Sequence, residues 1–188
     1  MKKFELEIEH DEDPMNPRTE WDNISTMICF HNRYNVGDKH DYKSSNFDSW
    51  DELKEQIESD YKVLHIEPLY MYDHSGITIK TTPFGDRFDS GQIGWVFIHE
   101  KQLELLCGKD FDKSEKNLSS ILNGEVKTYD EYLTGEVYKY TIYEVETCDK
   151  GHEHRTYVES CGSYYSEGDC RDEGLSVIEH LESKVELV

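Results

Sequence analysis

The sequence predicts an α+β fold: a mostly antiparallel sheet with helices packed on one face, ending in a C-terminal ββα lobe. Three observations carry this. Between Pro68 and Ile98, strand-like runs at Leu69–Tyr72, Ile77–Thr82 and Gln92–Ile98 are separated by the polar turns Asp73–Gly76 and Gly85–Gly91. Helical stripes flank that block, clearest at Trp50, Leu53, Ile57 and Tyr61. A long strand, a turn and a returning strand then precede the last helix. The central block predicts a three-stranded antiparallel meander with one packed face and one wet face. The chain divides at a weak boundary, Gly108–Lys113, into an N-terminal sheet lobe (1–108) and a C-terminal helix-hairpin-helix lobe (109–188), with a single domain as the alternative.

Taken in order, Lys3–Glu9 alternates, with Phe4, Leu6 and Ile8 on one side and Glu5, Glu7 and Glu9 on the other, as a half-buried strand does. Its carboxylates stand in a row about 7 Å apart. Asp11-Glu12-Asp13-Pro14 ends it, because proline cannot donate to a ladder. Met15–Asn23 is a polar loop, Ile24–His31 a strand carrying Cys29 as a small core residue, and Asn32–Ser45 another loop. Ser49-Trp50-Asp51-Glu52 is a capping box that opens a helix at Trp50–Ser59. Val63–Ile66 begins the sheet, and Pro68 marks an edge or bulge. In the turn Asp73-His74-Ser75-Gly76, Asp73 is expected to cap its own backbone and Gly76 to take positive φ. Helices follow at Glu100–Cys107, Asn117–Asn123 and Tyr129–Leu133, stopped by Gly108, Gly124 and Gly135; capping boxes at Asp112–Glu115 and Thr128–Glu131 lead into the last two. Glu136–Thr147 is a strand, Asp149–His152 turns it, and His154–Tyr164 returns. The final helix, Asp172–Lys184, places Leu175, Ile178, Leu181 and Val185 together.

The net charge is −21, from 41 Asp/Glu against 20 Lys/Arg. It is spread evenly: 20 acids against 10 bases in residues 1–99, and 21 against 10 in residues 100–188. Such a field repels nucleic acid and draws basic surfaces, including those that grip nucleic acid. No direct nucleic-acid binding is expected. Acidity that serves solubility alone is the competing account. No apolar run is long enough to cross a bilayer, and the N-terminus has no apolar signal core, so no membrane is expected and the cytoplasm is the default location. Five scattered cysteines fit reduced thiols better than a disulfide framework.

The chain has no Walker loop, no G-x-G-x-x-G and no H-E-x-x-H. Asp73-His74-Ser75 holds the residue types of a hydrolytic triad, but adjacent residues point apart and a triad is a matter of geometry. Asp73, His74 and Asp89 beside Trp95 are the candidates for a small-ligand or hydrolase pocket. Asp86 and Asp89 lie in a turn that lacks the calcium-loop pattern. Cys148, His152 and His154, with Cys161 and Cys170, are the candidate zinc ligands of a zinc-stabilised adaptor. Their spacing is not the paired C-x-x-C form, and a simple hairpin puts Cys148 opposite His154 with Cys161 remote; no cofactor is favoured.

The run YMYDHSGITIKTTPFGDRFDSGQIGWVFI, with Asp11–Asp38, Thr128–Ile142 and Ser160–Asp169, resembles a family of small acidic proteins carried by phages and mobile elements of gut bacteria. The resemblance implies an anti-defence protein, of the kind that inhibits CRISPR effector nucleases, and transfers no functional residues. It agrees with the charge. Such nucleases hold DNA in a positively charged channel, for which a compact acidic protein competes. The expected function is therefore non-catalytic: binding a host defence protein on its basic nucleic-acid-binding surface. The residues expected to make contact are Glu5, Glu7, Glu9, Asp51, Glu55 and Glu58, chosen from the polar sides of the two clearest amphipathic elements, with Asp73, His74, Asp86 and Asp89 from the central turns.

Overall fold

A computed structural model describes residues 3–86 and 88–185. Arg87, in the second central turn, lies outside the described residues, as does the side chain of Val185 from the final helical stripe. The elements are β1 (Lys3–His10), β2 (Ser25–Cys29), α1 (Trp50–Asp60), β3 (Val63–Asp73), β4 (Ile77–Lys80), β5 (Ser90–His99), α2 (Glu100–Cys107), α3 (Glu115–Thr134), β6 (Tyr138–Thr147), β7 (Glu153–Tyr164) and α4 (Glu167–Val185). The fold is α+β, and all strand pairings are antiparallel. The chain forms two compact units. Residues 16–134 make one; residues 1–15 and 135–188 make the other.

In the first of these, a four-stranded sheet has the order β2-β5-β3-β4. The central block is therefore not a meander: β5 passes β4 and pairs with the far side of β3. The reason is in the residues of β5. Ile93, Trp95, Val96, Phe97 and Ile98 are all buried, and an unbroken apolar run must be covered on both faces. Trp95 and Phe97 point to α1, packing with Ile28, Leu53 and Ile57. Val96 and Ile98 point the other way, to Met27, Leu69, Met71 and Ile79 beneath Leu118, Leu122, Val126 and Tyr129 of α3. Gly94 lets β2 approach, since a Cβ there would stand 1.9 Å from the Ile28 carbonyl oxygen.

α3 is one helix where two were expected. Leu118, Leu122, Val126 and Tyr129 continue a single buried stripe through Gly124. A mid-helix glycine costs about 1 kcal/mol, less than exposing those four side chains. Thr128 therefore lies mid-helix and caps nothing, and Asp130 instead accepts from Thr78 Oγ1 and from the Ile79 amide, both at 2.7 Å. This packing carries α3 into the unit formed by residues 16–134, so the expected boundary at 108/109 falls inside it. α1 is capped as expected by Ser49, which accepts from the Glu52 amide at 3.2 Å, but Glu52 reaches back to the Asp48 amide at 2.7 Å, one residue further than predicted.

In the other unit, β1-β6-β7 form a three-stranded sheet. Phe4, Leu6 and Ile8 of β1 join Tyr140 and Ile142 of β6 and Cys170, Val177, Ile178 and Leu181 of α4. α4 starts at Glu167, ahead of the expected Asp172, and its buried stripe runs through Cys170 and Gly174. A Cβ on Gly174 would stand 2.5 Å from Leu6 Cδ1. Leu175, expected in the core, is 46% exposed because the register set by that close approach turns it outward.

Candidate cation-binding surface

The expected contact acids fall into two groups with different electrostatics. Glu5, Glu7 and Glu9 do share the exposed face of β1, as the alternation requires. That face is not purely anionic. Arg155 reaches Glu5 at 3.3 Å and Glu7 at 3.0 Å, and Lys139 reaches Glu9 at 3.3 Å. The Arg155 guanidinium also lies 4.1 Å from the centre of the Tyr143 ring. Both cations come from strands 130 or more residues away in sequence, so local periodicity could not show them.

Asp51, Glu55 and Glu58 form the second group, on α1. Spacing of four and then three residues puts them within one narrow arc of the helix, away from buried Leu53 and Ile57. Asp51 and Glu55 have no ion pair among the described residues, and Lys54 approaches Glu58 only to 3.8 Å while its ammonium lies 5.4 Å from the Trp95 ring. The α1 arc is thus the less compensated of the two rows.

At the C-terminal end of α1, on the side turned away from this arc, a hollow of about 740 Å³ is walled by Tyr42, Phe47, Tyr61, Ile28 and His40 and edged by Asp41, Asp60 and Lys39. Asp60 is fixed there: Tyr42 Oη donates to its Oδ2 at 2.6 Å and Gln56 Nε2 to its Oδ1 at 2.9 Å. These two hydrogen bonds hold its carboxyl below the usual range, the Tyr42 bond acting most. Burial, and then the bond to Asp60, push the Tyr42 hydroxyl well above its ordinary value, so it stays a donor. His40 packs against Phe30 and Tyr42 at ring-centre distances of 5.3 and 5.9 Å. Its Nε2 stands 3.1 Å from the Cys29 carbonyl oxygen. That oxygen can only accept, so Nε2 donates to it. His40 Nδ1 is buried and without a partner among the described residues. No single-sequence signal marks this hollow, because its walls come from β2, from the loop 39–47 and from the C-terminal half of α1 with Tyr61.

The central turns do not assemble a pocket with Trp95. Asp73 binds Arg33 and accepts a long hydrogen bond of 3.4 Å from Tyr34 Oη, so it does not cap its own turn. His74 Nδ1 meets Asp89 Oδ2 at 3.1 Å, with side chains 63% and 43% exposed. Positive φ falls on Ser75, at 59°, and not on Gly76. Asp86 accepts from the amides of Phe88 and Asp89, as a turn residue does. Trp95 pairs with Pro68, six residues from His74 along β3, which is roughly 20 Å of strand. Its indole Nε1 donates to the Trp50 carbonyl at 2.8 Å.

The Cys/His set is dispersed. Hairpin register puts His152 opposite Cys148, whose amide donates to the His152 carbonyl at 2.9 Å, while His154 pairs with Glu146. Cys161 is exposed on β7, and Cys170 is buried on the inner face of α4, where desolvation pushes its thiol up to about 11. Among the described residues, no three or more His, Cys, Asp or Glu side chains are grouped to hold a metal ion. Cys29 is in the core as expected, its thiol pushed up to about 12 by burial and then by Asp38.

Sequence reasoning missed one polar centre altogether. Arg18, in the polar loop 15–23, is buried, and all five of its N–H groups are used. Nε and Nη2 donate to Asp38 at 2.9 and 2.6 Å, Nη2 also to the Ser25 carbonyl at 2.9 Å, and Nη1 to Asn23 at 2.9 Å and Glu125 at 3.3 Å. Glu125 accepts in turn from the Ile24 and Ser25 amides at 2.7 and 2.9 Å. The centre ties the loop and β2 to α3. Its satisfied donors and its burial make it a structural anchor.

No helix among the described residues is long and apolar enough to cross a membrane. Comparison with known protein families, with curated proteins and with solved structures finds no match to this chain.

Proposed function

We propose that this protein is a non-catalytic acidic binder that occupies the basic, nucleic-acid-binding surface of a host defence protein of the CRISPR effector nuclease type, and so excludes nucleic acid from it. The observation that supports this most directly is the weakly compensated arc Asp51, Glu55 and Glu58, projecting from a helix whose other face is locked into the core. Rigid support matters, because a preorganised row of charges loses little entropy when it docks. Net charge supports it too. Residues 16–134 carry 22 acids against 13 bases, and residues 1–15 with 135–188 carry 19 against 7, so each unit is strongly anionic, by −9 and −12. The β1 row contributes less to such a contact, since Arg155 and Lys139 already occupy it.

The test is retention of defence nucleases from a bacterial lysate on the immobilised protein, with DNA as competitor and salt as variable. DNA and salt should both release the bound protein. If no basic partner is retained at low salt, the reading is lost.

A further inference from the structure

We propose that His99 is a pH-sensitive cap on α2: the neutral ring closes the first turn of the helix, and protonation opens it. β5 ends at His99 and α2 begins at Glu100, so the first amides of the helix have no earlier turn to donate to. Serine, threonine, aspartate or asparagine usually answers that need. Here an imidazole does. His99 has the extended backbone of a capping residue, with φ −112° and ψ 151°, and its Nδ1 accepts from the Gln102 amide at 3.3 Å. A backbone N–H can only donate, so in this arrangement Nδ1 carries no proton and Nε2 does.

That arrangement makes the cap conditional. A second proton has only Nδ1 to go to, the atom that holds the Gln102 amide. It would turn the acceptor into a donor, set two N–H groups against each other and add a positive charge at the positive pole of the helix. The Ser49 cap of α1 has no such dependence, because a hydroxyl does not titrate in this range. The surroundings favour the neutral ring. His99 is half-buried, its ring centre 5.1 Å from that of Tyr61 and 6.2 Å from that of Phe97, with Val63 of β3 as its partner in the sheet. The charged groups around it are Glu100, Lys101 and Glu104 of α2, Asp60 of α1 and Lys62 between α1 and β3. Lys62 reaches Glu100 at 2.6 Å, and Lys113 reaches Glu100 and Glu104 at 3.4 and 3.0 Å, so these acids are already paired. Asp60 is held by Tyr42 and Gln56, whereas Lys101 has no ion pair among the described residues. Burial, and then the charge of Lys101, accordingly hold the ring below its ordinary 6.5. A lowered folded value means that the capped state is fully favoured above about 6.5 and loses ground as pH falls below it. Opening would reach past the turn itself, since Gln102 Nε2 also donates to the Asn23 carbonyl at 2.9 Å and Glu100 is tethered to two lysines.

The experiment follows the full-length protein by NMR, reading the ring nitrogens of His99 and hydrogen exchange at the Gln102 amide, corrected for its intrinsic pH dependence. The expected result is an unprotonated Nδ1 at about pH 7.5, ring protonation on the way to about pH 5.5, and a loss of Gln102 protection of about fivefold, the contribution of one cap. His99→Asn, which caps without titrating, should hold Gln102 protection level, as should the Ser49-capped Glu52 amide in both proteins. A proton on Nδ1 at the upper pH, a ring that stays neutral throughout, ring protonation with no change at Gln102, or the same loss in His99→Asn overturns the proposal. If His99→Asn does not fold, the wild-type titration decides: a common midpoint for the ring and for Gln102 exchange supports the cap, and separate midpoints overturn it.

Discussion

Replacing Arg18 with methionine removes a charge and five donors while keeping most of the side-chain stem. The side chain is 1% exposed, and its carboxylate partners Asp38 and Glu125 are 21% and 19% exposed. Breaking a buried pair from one side costs about 3–5 kcal/mol, because the orphaned charge stays in the interior. Here two carboxylates are orphaned. Each is also partly wet and keeps backbone donors, Met27 for Asp38 and Ile24 and Ser25 for Glu125, which argues for the lower end, about 3 kcal/mol. All three tryptophans, Trp21, Trp50 and Trp95, lie in the unit of residues 16–134, so tryptophan emission reports that unit's unfolding by itself. With a urea dependence of about 2 kcal/mol per molar, the midpoint should fall by about 1.5 M. Adding Asp38→Asn and Glu125→Gln to Arg18→Met should restore part of the loss, because the orphaned charges go with the arginine. An Arg18→Met protein within about 0.5 kcal/mol of wild type, by the same reasoning on desolvation, would refute the anchoring role.

Other expectations follow from single contacts. Gly94→Ala should cost about 3 kcal/mol or prevent folding of that unit, because the added carbon meets backbone atoms at 1.9 and 2.9 Å that cannot turn aside; soluble yield and the same tryptophan transition measure it. Asp130→Ala should cost about 2 kcal/mol by leaving the Ile79 amide and Thr78 hydroxyl without their acceptor, and hydrogen exchange at Ile79 should quicken. Burial raises the Glu67 carboxyl, but hydrogen bonds from His65, Ser119, Asn123 and Thr81 outweigh it, so its folded value lies below the ordinary 4.5. A depressed folded value means stability that is complete above about 4.5 and lost as pH falls through the folded value; Glu67→Gln should therefore flatten the acid limb of stability against pH. Asp51→Lys with Glu55→Lys and Glu58→Lys should leave circular dichroism unchanged and abolish salt-sensitive retention of basic partners; full retention in that folded variant would exclude α1 as the contact.

What could be read from the sequence was whatever rests on local periodicity. Trp50, Leu53 and Ile57 place α1 correctly, and the alternation of β1 gives its buried and exposed faces, because each pattern depends on residues within a few positions. What could not be read depended on partners far along the chain. Gly124 reads as a helix stop until Leu118, Leu122, Val126 and Tyr129 have a sheet to cover, and then the helix runs through it. The order of β3, β4 and β5 was mistaken in the same way: consecutive strands suggest a meander, yet burial of β5 on two faces moves it to the centre. Arg18 sits in a stretch that looks like solvated loop, and nothing within ten residues announces Asp38 or Glu125.

The same distinction decides which acids can act. Glu5, Glu7 and Asp51 are equivalent in sequence, each a charged residue opposite an apolar one. In the fold, a partner approaching β1 must displace Arg155, which also stacks on Tyr143, before it meets an uncompensated carboxylate. At α1 there is no such exchange for Asp51 and Glu55, so the attraction is available at first encounter, where electrostatics governs the rate. Arg155→Gln therefore distinguishes the two faces. It should release Glu5 and Glu7 and raise the affinity for a basic protein if β1 is the contact. If the contact is made through α1, it should leave affinity unchanged within about twofold, since the exposed ion pairs it removes are each worth less than about 1 kcal/mol.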